Sequence, residues 1–141
     1  MTIEDRMEIQ DLVYKYAYYV DSFIFPEWVE LFAPEGTLDE SEFGMGKYDG
    51  HAALAGYGDT MGGRVLHLVH LITNHLVWDF KGDTAKGTSF AIVESMQKTG
   101  ARARYHVKYE DEYQKLNGRW VFSKRMLRKS FPPEILSAPN V

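Results

Sequence analysis

Three short turn sequences divide the C-terminal half of the chain into four long segments, and no other feature limits the possible folds as strongly. The turns are Lys81-Gly82-Asp83, Lys98-Thr99-Gly100 and Asn117-Gly118, and each contains a glycine suited to a hairpin. Strands joined by such short turns pair in an antiparallel sheet. We therefore predict four antiparallel strands, at residues 65–80, 84–98, 101–116 and 119–130, with Pro132-Pro133 ending the last one.

Helical patterns occupy the N-terminal half. Thr2 is a suitable N-cap for a first helix, whose apolar residues recur every three or four positions and which ends at Asp21. A second, short helix is predicted at residues 27–32 and a third, weaker one at 51–60, where glycines favour a mobile segment. Between them we predict a strand at 37–42 and a turn at 45–50. Helices followed by hairpin-linked strands are typical of an α+β fold with a curved, mostly antiparallel sheet, here a single domain over residues 1–141.

Composition limits the possible functions. The chain has no cysteine, which excludes disulfides, thiolate metal sites and cysteine nucleophiles. Its net charge of -4 disfavours a general attraction to nucleic acid. Its apolar runs are shorter than the roughly 20 residues of a membrane span, and the acidic N-terminus lacks the order of a signal peptide. We therefore predict a cytoplasmic protein that acts neither on nucleic acid nor at a membrane.

Residues 66–80, LHLVHLITNHLVWDF, carry three histidines on one predicted strand. Because side chains alternate along a strand, His70 and Asn74 are predicted on one face, and His67 and His75 on the other. At the usual rise of a strand, His67 and His75 lie roughly 26 Å apart and cannot share a metal ion. A lone histidine on such an apolar strand is more often a structural residue than a functional one. The histidines by themselves therefore predict no metal site.

Asp21 stands at the C-terminal end of the first helix, where the helix dipole disfavours a negative charge. We therefore expect this carboxylate to have a specific partner elsewhere in the fold. On an ideal helix Tyr14, Tyr18 and Asp21 share a face, whereas Tyr16 points about 140° away from Asp21.

The strand at residues 101–116 has one aromatic face. Tyr105, Val107 and Tyr109 alternate with His106 and Lys108. We predict that the tyrosine face points inward and that His106 is solvated.

Six motifs occur in an order that resembles the SnoaL-like group of the nuclear transport factor 2-like superfamily. They are IQDLVYKYAYYVD (9–21), WVELF (28–32), HLITN (70–74), GDTA (82–85), YEDEY (109–113) and GRWVFSKR (118–125). The resemblance implies a cone-shaped α+β barrel, in which N-terminal helices close one end of a bent sheet around a deep pocket. The group contains dehydratases, a dehydrochlorinase, polyketide cyclases, a diarylpropane lyase and non-catalytic members, so the fold does not determine the function.

The resemblance also implies a site. Asp21 and His70 match the acid/base dyad of these enzymes, with His70 as the base and Asp21 orienting its ring. Tyr16 matches a position where other members carry a tyrosine or a lysine. Its phenol can donate a hydrogen bond to a departing hydroxyl or a developing oxyanion, and the helix geometry leaves Tyr14 or Tyr18 as an alternative donor. Arg125 falls near a pocket arginine of the dehydrochlorinase. We predict that it pairs with an anionic group of the substrate, with a surface ion pair as the alternative. We predict no cofactor and no metal, and the predicted substrate-binding residues are Tyr14, Tyr18, Trp28, Asn74, Tyr105, Tyr109 and Arg125.

The predicted function follows from the dyad. A neutral imidazole beside a carboxylate is a competent base near neutral pH. We predict a cofactor-independent lyase that removes water, or a small carbonyl compound such as formaldehyde, from a hydrophobic, aromatic alcohol. An isomerase or polyketide-type cyclase using the same base is one alternative, and a non-catalytic binding or assembly module is another. A long Asp21–His70 distance, with His70 away from any cavity, would favour the module.

The predicted sheet has more apolar positions than the helices can cover. Phe90, Ile92, Trp120 and Phe122, or their alternating neighbours, are predicted on its outer face, which is too apolar for a soluble monomer. The resemblance favours the same conclusion, because relatives assemble through this face. We therefore predict a homodimer or homotrimer.

Overall fold

The first helix follows its sequence signals closely. In the computed structural model, which describes residues 1–140, helix α1 spans Ile3–Asp21. It begins with a capping box, in which the Asp5 N–H donates to the Thr2 hydroxyl at 3.0 Å and the Thr2 N–H donates to the Asp5 carboxylate at 3.3 Å. The predicted amphipathic helix is confirmed, and its buried side consists of Ile9, Leu12, Val13, Tyr16, Ala17 and Val20.

The short elements after α1 differ from their predicted bounds. Helix α2 is Phe25–Val29 and starts earlier than predicted because Pro26 lies in its first turn, where its missing N–H costs nothing. Strand β1 is Phe32–Asp39, a single 3-10 turn follows at Ser41–Phe43, and strand β2 is Lys47–Asp49. The predicted turn at 45–50 therefore contains a strand, because its residues pair antiparallel with β1.

Helix α3 spans His51–Arg64 and includes the glycines that were predicted to make this segment mobile. One of them is required by packing. A Cβ at Gly58 would lie 2.9 Å from Cβ and Cγ of Phe25 in α2, so the absence of a side chain lets the two helices approach.

The four predicted long strands are all present. Their bounds are Val65–Lys81 (β3), Thr84–Gln97 (β4), Arg102–Leu116 (β5) and Arg119–Lys129 (β6). A further strand, Glu134–Ser137 (β7), was not predicted because Pro132-Pro133 was interpreted as the end of the sheet; it pairs with the start of β5. The main order is β2-β1-β6-β5-β4-β3, in which only the β1–β6 pair is parallel. The predicted α+β class with a curved, mostly antiparallel sheet is confirmed, and the sheet does not close on itself.

Irregular pairing within β3 overturns the predicted assignment of its faces. The register with β4 shifts between Ile72 and His75, so the alternation of side chains changes phase there. His75 is therefore half-buried and faces the interior, as His70 does, whereas Asn74 is exposed and its side chain accepts a hydrogen bond from the neighbouring Thr73 hydroxyl. The prediction that Asn74 shares the face of His70 is wrong.

Helix α1 covers the residues next to the turn between β5 and β6, a contact that was not predicted. The Asp5 carboxylate accepts hydrogen bonds from the Trp120 indole at 2.8 Å and from the Lys115 ammonium at 3.0 Å. Phe122 packs against Phe32, with ring centroids 5.3 Å apart. Trp120 and Phe122 are consequently core residues, and their predicted outward position is wrong. Across residues 1–140, the helices lack the combination of length and apolar character needed to cross a bilayer.

Candidate active site

Asp21 holds His70 through two hydrogen bonds. Oδ1 of Asp21 lies 2.6 Å from Nδ1 of the His70 ring, and Oδ2 accepts the backbone N–H of His70 at 2.8 Å. The carboxylate therefore fixes both the position of the ring and its tautomer, with the proton on Nδ1 and the lone pair on Nε2. The side chains are 8% and 21% exposed for His70 and Asp21, so this contact is shielded from bulk water.

The position of Asp21 in the chain explains this geometry. As the last residue of α1, it reaches past the end of the helix to β3, against which the helix packs. The partner expected from the unfavourable helix dipole is thus the backbone and ring of His70. The structure brings the two residues of the predicted dyad together.

His70 lies on the wall of a cavity of about 340 Å³, a size suited to a small organic ligand. Tyr16 from α1, Tyr105 and Tyr109 from β5, and Glu40 line the same cavity. The predicted inward direction of the tyrosine face of β5 is therefore confirmed. The remaining wall is mainly apolar and includes Phe43, Met61, Leu68, Val93, Val107 and Leu127.

Tyr16 is a buried phenol directly beside the dyad. Its ring meets the His70 ring edge-on, with centroids 6.2 Å apart. Burial raises the pKa of Tyr16 well above its ordinary value, so the hydroxyl stays protonated at neutral pH and can act as a hydrogen-bond donor. Among residues 1–140 this hydroxyl has no hydrogen-bond partner, which leaves it free for a ligand.

The alternative donors on α1 are not in the cavity. Tyr14 and Tyr18 are 43% and 62% exposed. Sharing a helix face with Asp21 does not bring these tyrosines to the site, because Asp21 contacts His70 beyond the end of the helix and not from its side. Trp28 is also misplaced by the prediction: it is fully buried behind Tyr16, at 5.9 Å between ring centroids, and does not line the cavity.

Arg125 is neither a cavity residue nor part of a surface ion pair, so both of its predicted positions are wrong. The side chain is fully buried, and its Nε donates to Asp111 Oδ1 at 3.0 Å. The guanidinium stacks 3.8 Å from the ring centre of Tyr109 and 4.2 Å from that of Tyr16. Arg125 therefore supports two cavity tyrosines from behind, and an adjacent carboxylate neutralises its charge.

A buried polar network extends from this ion pair to β3. The Tyr113 hydroxyl donates to Asp111 at 2.9 Å and lies 3.1 Å from Nε2 of His75. Burial, reinforced by the positive charge of Arg125, lowers the pKa of His75 to about 4, so His75 is neutral under physiological conditions. Gly87 makes room for the network, because a Cβ there would lie 2.6 Å from the Tyr113 hydroxyl.

His106 is less accessible than predicted. Its ring is half-buried and packs against Phe131, with centroids 5.3 Å apart. The Phe131 side chain, which precedes the unpredicted β7, covers the outer face of β5 at this point.

Glu40 is a cavity residue that the sequence argument missed. It follows β1 directly, is 7% exposed, and accepts a hydrogen bond from the Tyr57 hydroxyl of α3. Burial raises the pKa of Glu40 from 4.5 to about 7. The available signal was its position two residues after Leu38 in the predicted strand 37–42, because the alternation of a strand places both side chains on one face.

The family of the chain follows from its sequence profile as well as from this fold. The profile of the SnoaL-like domain matches residues 1–126, which is most of the chain, and the protein therefore belongs to the SnoaL-like domain family. No curated protein matches the sequence.

Several solved structures share the complete fold. A proposed aromatic ring hydroxylase from Novosphingobium aromaticivorans superimposes with a TM-score of 0.92 at 26% identity, covering 96% of this chain and 95% of that one. A proposed scytalone dehydratase from the same organism gives 0.84 at 17% identity, with 98% and 93% covered. The hexachlorocyclohexane dehydrochlorinase LinA-type3 from Novosphingobium barchaimii gives 0.84 at 19% identity, with 99% and 94% covered. The structural neighbours thus include enzymes named for elimination reactions.

Proposed function

We propose that this protein is a cofactor-independent lyase that eliminates water or a small carbonyl compound from a hydrophobic, aromatic alcohol. The single observation that carries the proposal is the 2.6 Å contact between Asp21 and the His70 ring, on the wall of a largely apolar cavity. A neutral histidine with one nitrogen held by a carboxylate and the other directed to a substrate is a general base that needs no further cofactor.

The residues can carry out elimination in a simple order. Nε2 of His70 takes a proton from a carbon next to an electron-withdrawing group, and the electron pair of that C–H bond forms a double bond. The C–O bond of the alcohol breaks, its electron pair goes to the oxygen, and the oxygen takes up a proton and leaves as water. The Asp21 carboxylate stabilises the imidazolium that forms. Tyr16 donates a hydrogen bond to the oxygen on which negative charge develops.

Loss of a carbonyl compound uses the same groups. His70 takes the proton of the hydroxyl, and the neighbouring C–C bond breaks as the carbonyl forms. The electron pair of that bond stays on carbon, which then takes a proton from the imidazolium. The site therefore supports both reactions through one base.

The lining of the cavity supports the substrate class. Tyrosine and phenylalanine rings supply flat apolar surfaces, and a few inward hydroxyl groups supply polar contacts. The positive charge of Arg125 lies behind the wall and is paired with Asp111, whereas Arg64, which lines the cavity, is exposed. A neutral aromatic alcohol fits this arrangement better than a multiply charged substrate.

The experiment that tests the proposal is a mass-spectrometric screen of aromatic alcohols against the wild-type protein, His70→Ala and His67→Ala. We expect products lighter by water or by a small carbonyl compound, and a fall in kcat of about 10²–10⁴-fold for His70→Ala. His67 is exposed on the outer face of the same strand, so His67→Ala should keep full activity.

Two results would contradict the proposal. Near-wild-type turnover by a folded His70→Ala protein would remove the base from the mechanism. Products of unchanged mass that depend on His70 would assign the protein to the isomerases or cyclases instead.

A further inference from the structure

Glu40 places a carboxyl group on the wall of the cavity, supplied by a different part of the fold from the dyad. Its backbone is held at the end of β1, where its N–H donates to the Gly46 carbonyl at 2.8 Å and its own carbonyl accepts from Phe43 N–H at 3.0 Å. The side chain accepts a hydrogen bond from Tyr57, whose ring stacks on Tyr48 with centroids 4.0 Å apart. The carboxyl group is therefore held in a defined position by Tyr57.

The environment of Glu40 favours the uncharged acid. Within residues 1–140 it forms no ion pair, and its only side-chain hydrogen bond is the one that Tyr57 donates to Oε1. Oε2 is thus left without a protein partner on the cavity side. Burying an unpaired carboxylate is costly, so the group keeps its proton close to neutral pH.

The phenols and the guanidinium of Arg125 around Glu40 do not change charge in the same pH range. Burial raises the pKa of each of the neighbouring phenols, so these stay neutral. Arg125 keeps its positive charge in its pair with Asp111. The ionisable groups of the surrounding elements are Tyr16 of α1, Asp39 of β1, Tyr48 of β2, Tyr57 and Arg64 of α3, His70 of β3, Tyr105 and Tyr109 of β5, and Arg125 of β6.

We propose that Glu40 is the general acid of this site and protonates the departing hydroxyl oxygen while His70 removes the proton from carbon. This inference rests on the lyase function proposed above. The C–H electron pair becomes the new double bond, the C–O pair goes to oxygen, and the proton of Glu40 completes a neutral water molecule. The cycle closes when the imidazolium of His70 loses a proton to solvent and the Glu40 carboxylate gains one. No oxidant, reductant or further reactant is needed.

Two probe substrates that differ only in the leaving group distinguish the contribution of the acid from that of the base. The first is the β-hydroxyketone formed from benzaldehyde and acetone, and the second is its acetate ester. Both yield benzylideneacetone on elimination, which is followed by its ultraviolet absorption. Hydroxide is a poor leaving group that requires a proton, whereas acetate departs as a stable anion.

The informative variant is Glu40→Gln, which keeps the shape of the side chain but has no acidic proton. We expect it to lower kcat for the hydroxyketone by about 10²-fold or more and to leave elimination from the ester nearly unchanged. His70→Ala should lower both rates. Glu35→Gln is the matched control, because Glu35 lies exposed on the same strand, and it should lower neither.

The outcomes distinguish this inference from the lyase proposal on which it rests. Equal effects of Glu40→Gln on both probes, or no effect on the hydroxyketone, would contradict the acid role while leaving the His70 mechanism intact. An absence of His70-dependent elimination from either probe would contradict the lyase proposal itself.

Infrared spectroscopy provides a readout that does not depend on turnover. The wild-type protein should show the carbonyl stretch of a buried, protonated carboxylic acid at mildly acidic pH, and the band should disappear as the pH is raised through about 7. Glu40→Gln should lack this band, and Glu35→Gln should retain it. A wild-type spectrum without the band would overturn the acid role.

Discussion

At the scale of single residues, Asp21 connects a helix end to the strand that carries His70. Its carboxylate makes one contact with the backbone of His70 and one with the ring. The first contact holds the strand against the helix, and the second orients the imidazole. In the proposed mechanism, a structural role and a chemical role are therefore combined in one side chain.

Asp21→Asn separates these roles. The amide keeps the size of the side chain but cannot stabilise the imidazolium, so we expect kcat to fall by about 10²-fold or more while KM changes little. Steady-state kinetics on whichever aromatic alcohol is turned over would measure this split. Asp11→Asn, at an exposed position of the same helix, is the control. A variant whose only defect was a higher KM would show that Asp21 binds substrate.

Glu40 should make the stability of the protein depend on pH in a defined direction. Its pKa is 4.5 ordinarily and about 7 in the folded protein, so between these pH values the folded state holds a proton that the unfolded state has lost. The free energy of unfolding therefore falls as the pH rises from about 4.5 to about 7, by about 3 kcal/mol in total, and stays lower above that range.

Glu40→Gln should remove this fall in stability with rising pH, because an amide does not ionise. We expect the free energy of unfolding of Glu40→Gln to stay constant relative to that of the wild type below pH 4.5 and to rise relative to it between about pH 4.5 and 7. Above pH 7 the variant should have the larger free energy of unfolding. Urea titration at a series of pH values would measure this difference. If the difference in free energy of unfolding between the two proteins did not vary with pH, the pKa of Glu40 would not be raised in the folded protein.

At the scale of elements, helix α3 forms part of the cavity wall through Tyr57 and Met61, and its packing depends on a single glycine. Gly58→Ala should destabilise the protein by about 1–3 kcal/mol, because the new methyl group would meet the base of the Phe25 side chain. Gly56→Ala is the matched comparison, since a Cβ there has open space, and it should stabilise the helix by about 0.5–1 kcal/mol. Thermal unfolding should show a lower Tm for Gly58→Ala and a higher Tm for Gly56→Ala than for the wild type. Equal shifts in Tm would show that α3 does not pack on α2 in this way.

At the scale of the whole molecule, the outer face of β3 remains apolar. It exposes Leu66, Val69, Leu71, Leu76 and Trp78, and β3 is also an edge of the sheet. Trp120 and Phe122 are buried, so the apolar surface available for assembly is this face of β3. An exposed apolar patch on an edge strand favours association with a second copy.

We expect a homodimer or homotrimer that buries well over about 1,000 Å² per contact. Light scattering at micromolar concentration should give two or three times the chain mass of 16.2 kDa. Leu71→Lys should shift the mass towards that of one chain, whereas Ile3→Lys, at an exposed position on α1, should not. A wild-type mass near 16.2 kDa would contradict the prediction.

Local patterns in the chain were sufficient for much of the fold. Apolar spacing defined α1, hairpin turns separated β3 to β6, and the order of these elements indicated the α+β class. The resemblance then placed Asp21 opposite His70, and the structure brings the two side chains into contact. These features depend on residues that lie close together in the chain or on motifs that a family shares, and they can therefore be predicted from the sequence.

Only the tertiary structure decided how the remaining side chains are distributed between cavity, core and surface. One shift of register in β3 reverses the faces of Asn74 and His75, and a strict alternation cannot anticipate it. Arg125 is buried because Asp111, Tyr16 and Tyr109 converge on it from three elements, and Glu40 enters the cavity because α3 folds over the end of β1. Each of these positions results from contacts between residues distant in sequence, whose packing and charge pairing exist only once the helices lie on the sheet.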